Sequence, residues 1–197
     1  MQGLRRLEYR GYDSAGVAVI GDSGELATAK KAGRIENLDA ELARLDGALT
    51  GHTGIGHTRW ATHGAPNDIN AHPHVDAGNR IAVVHNGIIE NFSELRTELE
   101  AAGVELVSET DTETVAHLVA AELDAGAPGL AEAVRRVCCR LQGAFTLVLA
   151  DREHPETVVG ARRNSPLVLG LGDGENFLGS DVAAFISYTK EAVELGQ

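Results

Sequence analysis

A chain of 197 residues, 43% of them hydrophobic, is long enough to bury one continuous core, and 17 Lys and Arg against 29 Asp and Glu give it a net charge of -12. That balance repels phosphate backbones and anionic headgroups, and Arg5, Arg6 and Arg10 are too thin a basic cluster to reverse it, so neither a nucleic acid nor a membrane is an expected partner. The apolar runs are far shorter than the ~20 residues of a membrane helix, Arg5, Arg6 and Glu8 interrupt the place of a signal peptide's apolar stretch, and the adjacent Cys138 and Cys139 cannot staple distant segments, which together predict a reducing, cytoplasmic setting.

Leu4 and Leu7 predict the end of an amphipathic helix that stops near Gly11. Residues 15–20 and 26–30 predict two strands around the turn Gly21-Asp22-Ser23-Gly24. Ile35, Leu38, Leu42 and Leu45 recur at steps of three and four, which puts an apolar stripe on a short surface helix ended by Gly47. After a short strand at 54–58, the Gly-, Pro- and His-rich stretch up to residue 74 lacks periodicity and predicts a long loop of the kind that carries function. A buried strand at 81–85 leads to a helix opened by Asn91 and closed by Gly103, and a further strand is expected at 104–107. Thr110 with Glu113 reads as a capping box for a helix running to Gly126, and Leu130, Val134, Val137 and Leu141 mark another. Strands at 144–150, 157–161, 167–171 and 176–179 then follow through tight turns, a late antiparallel meander. Helices covering antiparallel sheets make the expected class α+β.

Chemistry concentrates in GHTRWATHG at 56–64 and NAHPH at 70–74. His57, His63, His72 and His74 are numerous enough for zinc, yet the loop offers no Cys, no HExxH spacing and no helical i, i+4 pair, and ordered-loop histidines that bond the backbone are the alternative. Arg59 is either one half of an internal salt bridge or a bidentate receptor for a carboxylate. Asn86-Gly87 at a strand end is a turn signal, or an oxyanion hole made of the Asn86 amide and the Gly87 N–H. Asp111 at a helix start caps the helix or meets a substrate ammonium. Cys138 and Cys139 read as helix packing residues with no base beside them.

Six segments in order, LEYRGYDSAG at 7–16, HTRWATHG at 57–64, NAHPH at 70–74, HNGIIEN at 85–91, SETDTE at 108–113 and SPL at 165–167, resemble the N-terminal-nucleophile (class II) glutamine amidotransferases over essentially the whole chain. Among them the likeness is to the glutaminase domain of the glucosamine-6-phosphate synthase family, the isomerising glutamine:fructose-6-phosphate aminotransferases. The resemblance implies a four-layer αββα sandwich of two mostly antiparallel sheets. It implies that Arg59 binds the α-carboxylate of L-glutamine and Asp111 its α-ammonium. Trp60, Thr62 and His63 would belong to a loop that closes over the substrate, Asn86 and Gly87 would form the oxyanion hole, and Arg10 would lie near the nucleophile. No metal or cofactor is implied. A homo-oligomeric parent protein is.

In that family the nucleophile is an N-terminal cysteine whose own α-amine serves as base, with a reference pKa of ~7.7 to 8.0. The resemblance places Met1-Gln2-Gly3 within the helix that follows the nucleophile strand, so the first strand, its cysteine and the sugar-phosphate isomerase domain, which takes fructose-6-phosphate, are expected to lie outside this chain. The chain as written is expected not to hydrolyse glutamine by itself. A catalytically dead glutamine-binding or regulatory module is the alternative expectation.

Overall fold

The structure is a computed structural model that describes residues 1–45, 49–61 and 64–196. In chain order, helix α1 (Gln2–Leu7) and a 3-10 turn (Glu8–Arg10) lead into strands β1 (Ser14–Ile20) and β2 (Leu26–Ala32), helix α2 (Ile35–Arg44) and strand β3 (Thr53–Arg59). A long loop then reaches β4 (His74–Val75) and β5 (Ile81–Gly87). Helices α3 (Phe92–Ala101), α4 (Thr112–Asp124) and α5 (Leu130–Arg140) follow, and β6 (Phe145–Asp151), β7 (Val158–Arg163), β8 (Val168–Leu171), β9 (Asn176–Gly179) and β10 (Ala192–Glu194) complete the chain.

The strands form three antiparallel sheets with orders β2-β1-β3, β4-β5-β6-β7 and β10-β8-β9. Period-2 alternation assigns each side chain a layer. On β5, Ile81 and Val83 join Phe145, Leu147 and Leu149 of β6 beneath α3, α4 and α5 in one apolar cluster. Ala82 and Val84 point the other way and meet Ala18, Ile20 and Ile55 of the β2-β1-β3 sheet. Ala15 and Ala29 on that sheet's far side pack under Ile35 and Leu38 of α2. Helix, sheet, sheet and helix thus stack in four layers of an α+β sandwich, as the resemblance implied, with β10-β8-β9 a third antiparallel sheet in addition to the two expected. The inter-sheet layer is built largely of Ala and Val, so the sheets approach closely, and larger residues such as Phe145 and Leu147 bury ~1.5–3 kcal/mol each under the helices. No helix among the described residues is long and apolar enough to cross a membrane.

Several expectations are corrected. Residues 104–107 form no strand; Val104 and Leu106 pack against the helical cluster as extended chain, and the N–H of Val107 is taken by the Glu113 carboxylate at 2.8 Å rather than by a neighbouring strand. The capping box is absent as well. Helix α4 begins at Thr112, and Glu113 accepts from the Ser108 N–H at 2.7 Å and its hydroxyl at 2.6 Å, so it tethers the preceding segment instead of Thr110. The late strands are not one meander: β6 and β7 extend the central sheet, while β8, β9 and β10 form their own. Of the two cysteines, Cys138 packs against the core but Cys139 is exposed. Gly47, the expected helix stop, lies outside the described residues.

Candidate active site

The ends of β3 and β5 face one another across the sandwich. Ile55 and Val84 point into the inter-sheet layer, and alternation carries His57 and Arg59 of β3 and Asn86 of β5 to the same side. The Asn86 Oδ1 lies 2.8 Å from Nε2 of His57. Asn86-Gly87 is therefore paired strand, opposite Thr146 and Phe145, and the turn reading fails. Gly87 has φ +127, and a Cβ there would overlap the Ala144 carbonyl. A cavity of about 720 Å³ opens at this place, lined among others by Arg10, Arg59, Trp60, Asn86, Gly87 and Asp111. Its size is within the ~300–1,000 Å³ of small-molecule sites.

Arg59 is 3% exposed. Its Nη2 donates to the Gly64 carbonyl at 3.2 Å, and Nη1 lies 3.7 Å from Asp13 Oδ1. Asp13 also accepts a hydrogen bond from the Ala61 N–H, so one carboxylate steadies both the guanidinium and the chain beyond it. Asp111 is 4% exposed and sits at the N-cap of α4 without capping it. Its Oδ2 accepts from the Ile89 N–H at 2.9 Å, and Oδ1 from the Thr112 hydroxyl at 3.3 Å. The Thr112 hydroxyl spends its one proton on Asp111, so the rings that meet its oxygen must donate: His72 through Nε2 at 2.8 Å and His85 through Nδ1 at 3.0 Å.

Burial pushes the His57 ring down to about 4 and the His74 ring to about 3, and lowers His72 strongly, so all three are neutral near pH 7. Trp60 stands 61% exposed at the rim, its ring edge-on to Tyr12 with centroids 5.1 Å apart. The loop before β4 is fastened by Asn70, whose Nδ2 donates to Glu109 at 2.9 Å and whose Oδ1 accepts from the Glu109 N–H at 2.9 Å.

The model of the family described as "Glutamine amidotransferase domain" matches residues 57–187, a span that includes Arg59, Asn86 and Asp111. The chain belongs to this family. Curated relatives named glutamine--fructose-6-phosphate aminotransferase [isomerizing] are 67% identical in Streptomyces coelicolor, matching 100% of this chain and 32% of the relative, and 60% identical in Mycolicibacterium smegmatis, matching 98% and 32%. The chain spans about a third of the length of these proteins. Among solved structures, the glutamine phosphoribosylpyrophosphate amidotransferase from B. subtilis complexed with ADP and GMP superposes with a TM-score of 0.77 at 27% identity, over 98% of this chain and 41% of that one. A glutamine aminotransferase class-II domain protein from Silicibacter pomeroyi, at a TM-score of 0.59 and 20% identity over 84% and 79%, shares the fold.

Within this amidotransferase domain, Arg10, Arg59, Trp60, Asn86, Gly87 and Asp111, all singled out in the sequence, line one cavity. Thr62 and His63 lie outside the described residues. Sequence reasoning left His57 among candidate metal ligands and passed over Thr112 and Asp13 as partners of Asp111 and Arg59. Their roles come from contacts that no local pattern marks. Among the described residues no three His, Cys, Asp or Glu are placed to hold a metal ion, and His57, His72 and His74 meet Asn86, Thr112 and Thr110 instead.

Proposed function

We propose that this domain binds L-glutamine between its sheets and is the glutamine-hydrolysing part of a longer protein, supplying ammonia for conversion of fructose-6-phosphate to glucosamine-6-phosphate. The observation that carries the reading is a pair of opposite, buried charges lining one cavity, Arg59 and Asp111, together with a strand-borne amide at Asn86. A free amino acid offers a carboxylate and an ammonium in matching order. Arg59 takes the carboxylate and Asp111 the ammonium, while Trp60 stands at the mouth. The substrate's carboxamide then lies toward Asn86 and Gly87. A cysteine thiolate, as in the family, forms a C–S bond to the amide carbon, and the Asn86 amide and Gly87 N–H hold the resulting oxyanion. The C–N bond breaks as the nitrogen takes a proton and leaves as ammonia, and water hydrolyses the thioester to glutamate. Arg10 stands near the attacking sulfur.

The chain's own cysteines do not suit the attack: burial pushes the Cys138 thiol up to about 11, and neither Cys138 nor Cys139 lines the cavity. That observation favours, for this stretch by itself, glutamine binding without turnover. The test is glutaminase activity of the full-length protein with and without Asp111→Asn. Losing a charge-assisted hydrogen bond of ~1.5–3 kcal/mol raises KM for glutamine roughly 10- to 100-fold. Titration heat with glutamine but no turnover in the full-length protein would assign it to binding alone. An unchanged KM in Asp111→Asn would remove the substrate assignment.

A further inference from the structure

Asn86 brings an amide, not a fixed donor, to the cavity. Its Oδ1 and Nδ2 have nearly the same shape, and one orientation offers an N–H to a developing oxyanion while the other offers a carbonyl oxygen that repels it. Something must choose between them. In the structure Oδ1 is spent on Nε2 of His57 at 2.8 Å, and Nδ2 has no hydrogen-bond partner among the described residues. His57 is itself held firmly. It lies within β3, paired to Gly16 of β1, and its ring centroid is 4.4 Å from that of His72. Its Nδ1 is enclosed and has no partner at hydrogen-bond geometry, the His85 backbone approaching the ring without reaching that geometry at Nδ1, so the single proton of the neutral ring is best used on Nε2, 2.8 Å from Oδ1. Turning the Asn86 amide over would then set N–H against N–H.

We propose that His57 is a positioning residue: by donating from Nε2 to Oδ1 it locks the Asn86 amide with Nδ2 toward the reacting carbonyl. The inference rests on the glutamine-hydrolysing reading above. His57 touches no reacting atom, so its loss acts on the chemical step and not on the groups that hold the amino-acid end, Arg59 and Asp111.

The test uses the full-length protein and four variants, His57→Asn, His57→Gln, Asn86→Ala and the double variant His57→Asn/Asn86→Ala. A Gln amide reaches the position of Nε2, whereas an Asn amide reaches only that of Nδ1. Misdirecting one oxyanion donor lowers kcat by up to ~10² to 10³-fold. His57→Asn is expected to lose at least ~10-fold in kcat with KM for glutamine changed less than ~2-fold, and His57→Gln to recover most of it. In the Asn86→Ala background His57→Asn is expected to add no further loss, because there is no amide left to orient. A purely structural role would lower kcat in both backgrounds and shift the unfolding midpoint alike for Asn and Gln. If Asn86→Ala lowers kcat but His57→Asn does not, or the two losses multiply, the positioning role is overturned and the oxyanion site stands. If Asn86→Ala leaves kcat unchanged, the hydrolytic reading of this site fails and takes the inference with it.

Discussion

Gly16 sits where the loop before β4 lies against β1. A Cβ at that position would overlap the His72 carbonyl and approach Cβ of Lys30 to 2.6 Å, and both belong to backbone or to the fixed stem of a side chain, so neither yields cheaply. Gly16→Ala therefore has to push the loop away from the sheet, and overpacking of this kind costs ~1–3 kcal/mol. Because His72 bonds Thr112, which bonds Asp111, the displacement reaches the proposed ammonium site. Urea unfolding is expected to show the stability loss, and the same variant is expected to raise the glutamine KM. Gly196→Ala, whose Cβ meets nothing within 4 Å, is the control and should leave both unchanged.

At the scale of elements, residues 69–73 of the loop before β4 are held to β2 by Lys30, in addition to the Asn70–Glu109 fastening. Lys30 Nζ donates to the carbonyls of Ile69 at 3.0 Å and Ala71 at 2.9 Å and lies 3.4 Å from that of Pro73. Burial lowers its pKa, with Glu113 and Asp68 pulling the other way, so the ammonium is held in a largely enclosed place by carbonyl oxygens. Lys30→Met keeps the stem and strands the carbonyls, at a cost of ~1–3 kcal/mol. Limited proteolysis is expected to cut that loop faster in Lys30→Met, and unchanged cleavage would show that Asn70 and Glu109 suffice to hold it.

The elements themselves were largely legible because alternation and helical spacing are local properties. The stretch 104–107 was misread because Val104 and Leu106 are apolar for the sake of the helical cluster, and nothing local says whether a strand stands beside them. Likewise β7 and β8 follow one another closely in the chain yet belong to different sheets, a partner choice made by packing and not by turn chemistry. The site divides in the same way. Arg59, Asn86 and Asp111 carry recognisable residue types in recognisable segments, whereas the His57–Asn86 bond joins strands of two different sheets and has no sequence signature.

Across the whole molecule, the buried histidines make folding depend on pH with a definite sign. Each of His57, His72 and His74 has its pKa lowered by burial, while the unfolded chain returns it to ~6.5. Between the folded and unfolded values the unfolded state binds more protons, so stability falls as pH drops from about 6.5 through about 4 for His57 and about 3 for His74. Glu113 adds a later loss. Burial pushes its carboxyl up, but His117, Ser108 and the backbone N–H groups of Val107 and Ser108 outweigh that and hold it at about 2. Its contribution is present above the ordinary carboxylate range and is lost as pH falls toward 2. The net charge of -12 works the other way, because acidification relieves self-repulsion. Salt separates the two, since it screens surface charge and leaves buried protonation nearly untouched. Urea unfolding at a series of pH values in high salt is expected to show stability declining steadily from pH 7 to pH 4.5, with a shallower slope in His74→Gln. A profile flat over that interval, or one unaltered by His74→Gln, would mean that these rings take up protons without unfolding, and the buried network would then be looser than its hydrogen bonds indicate.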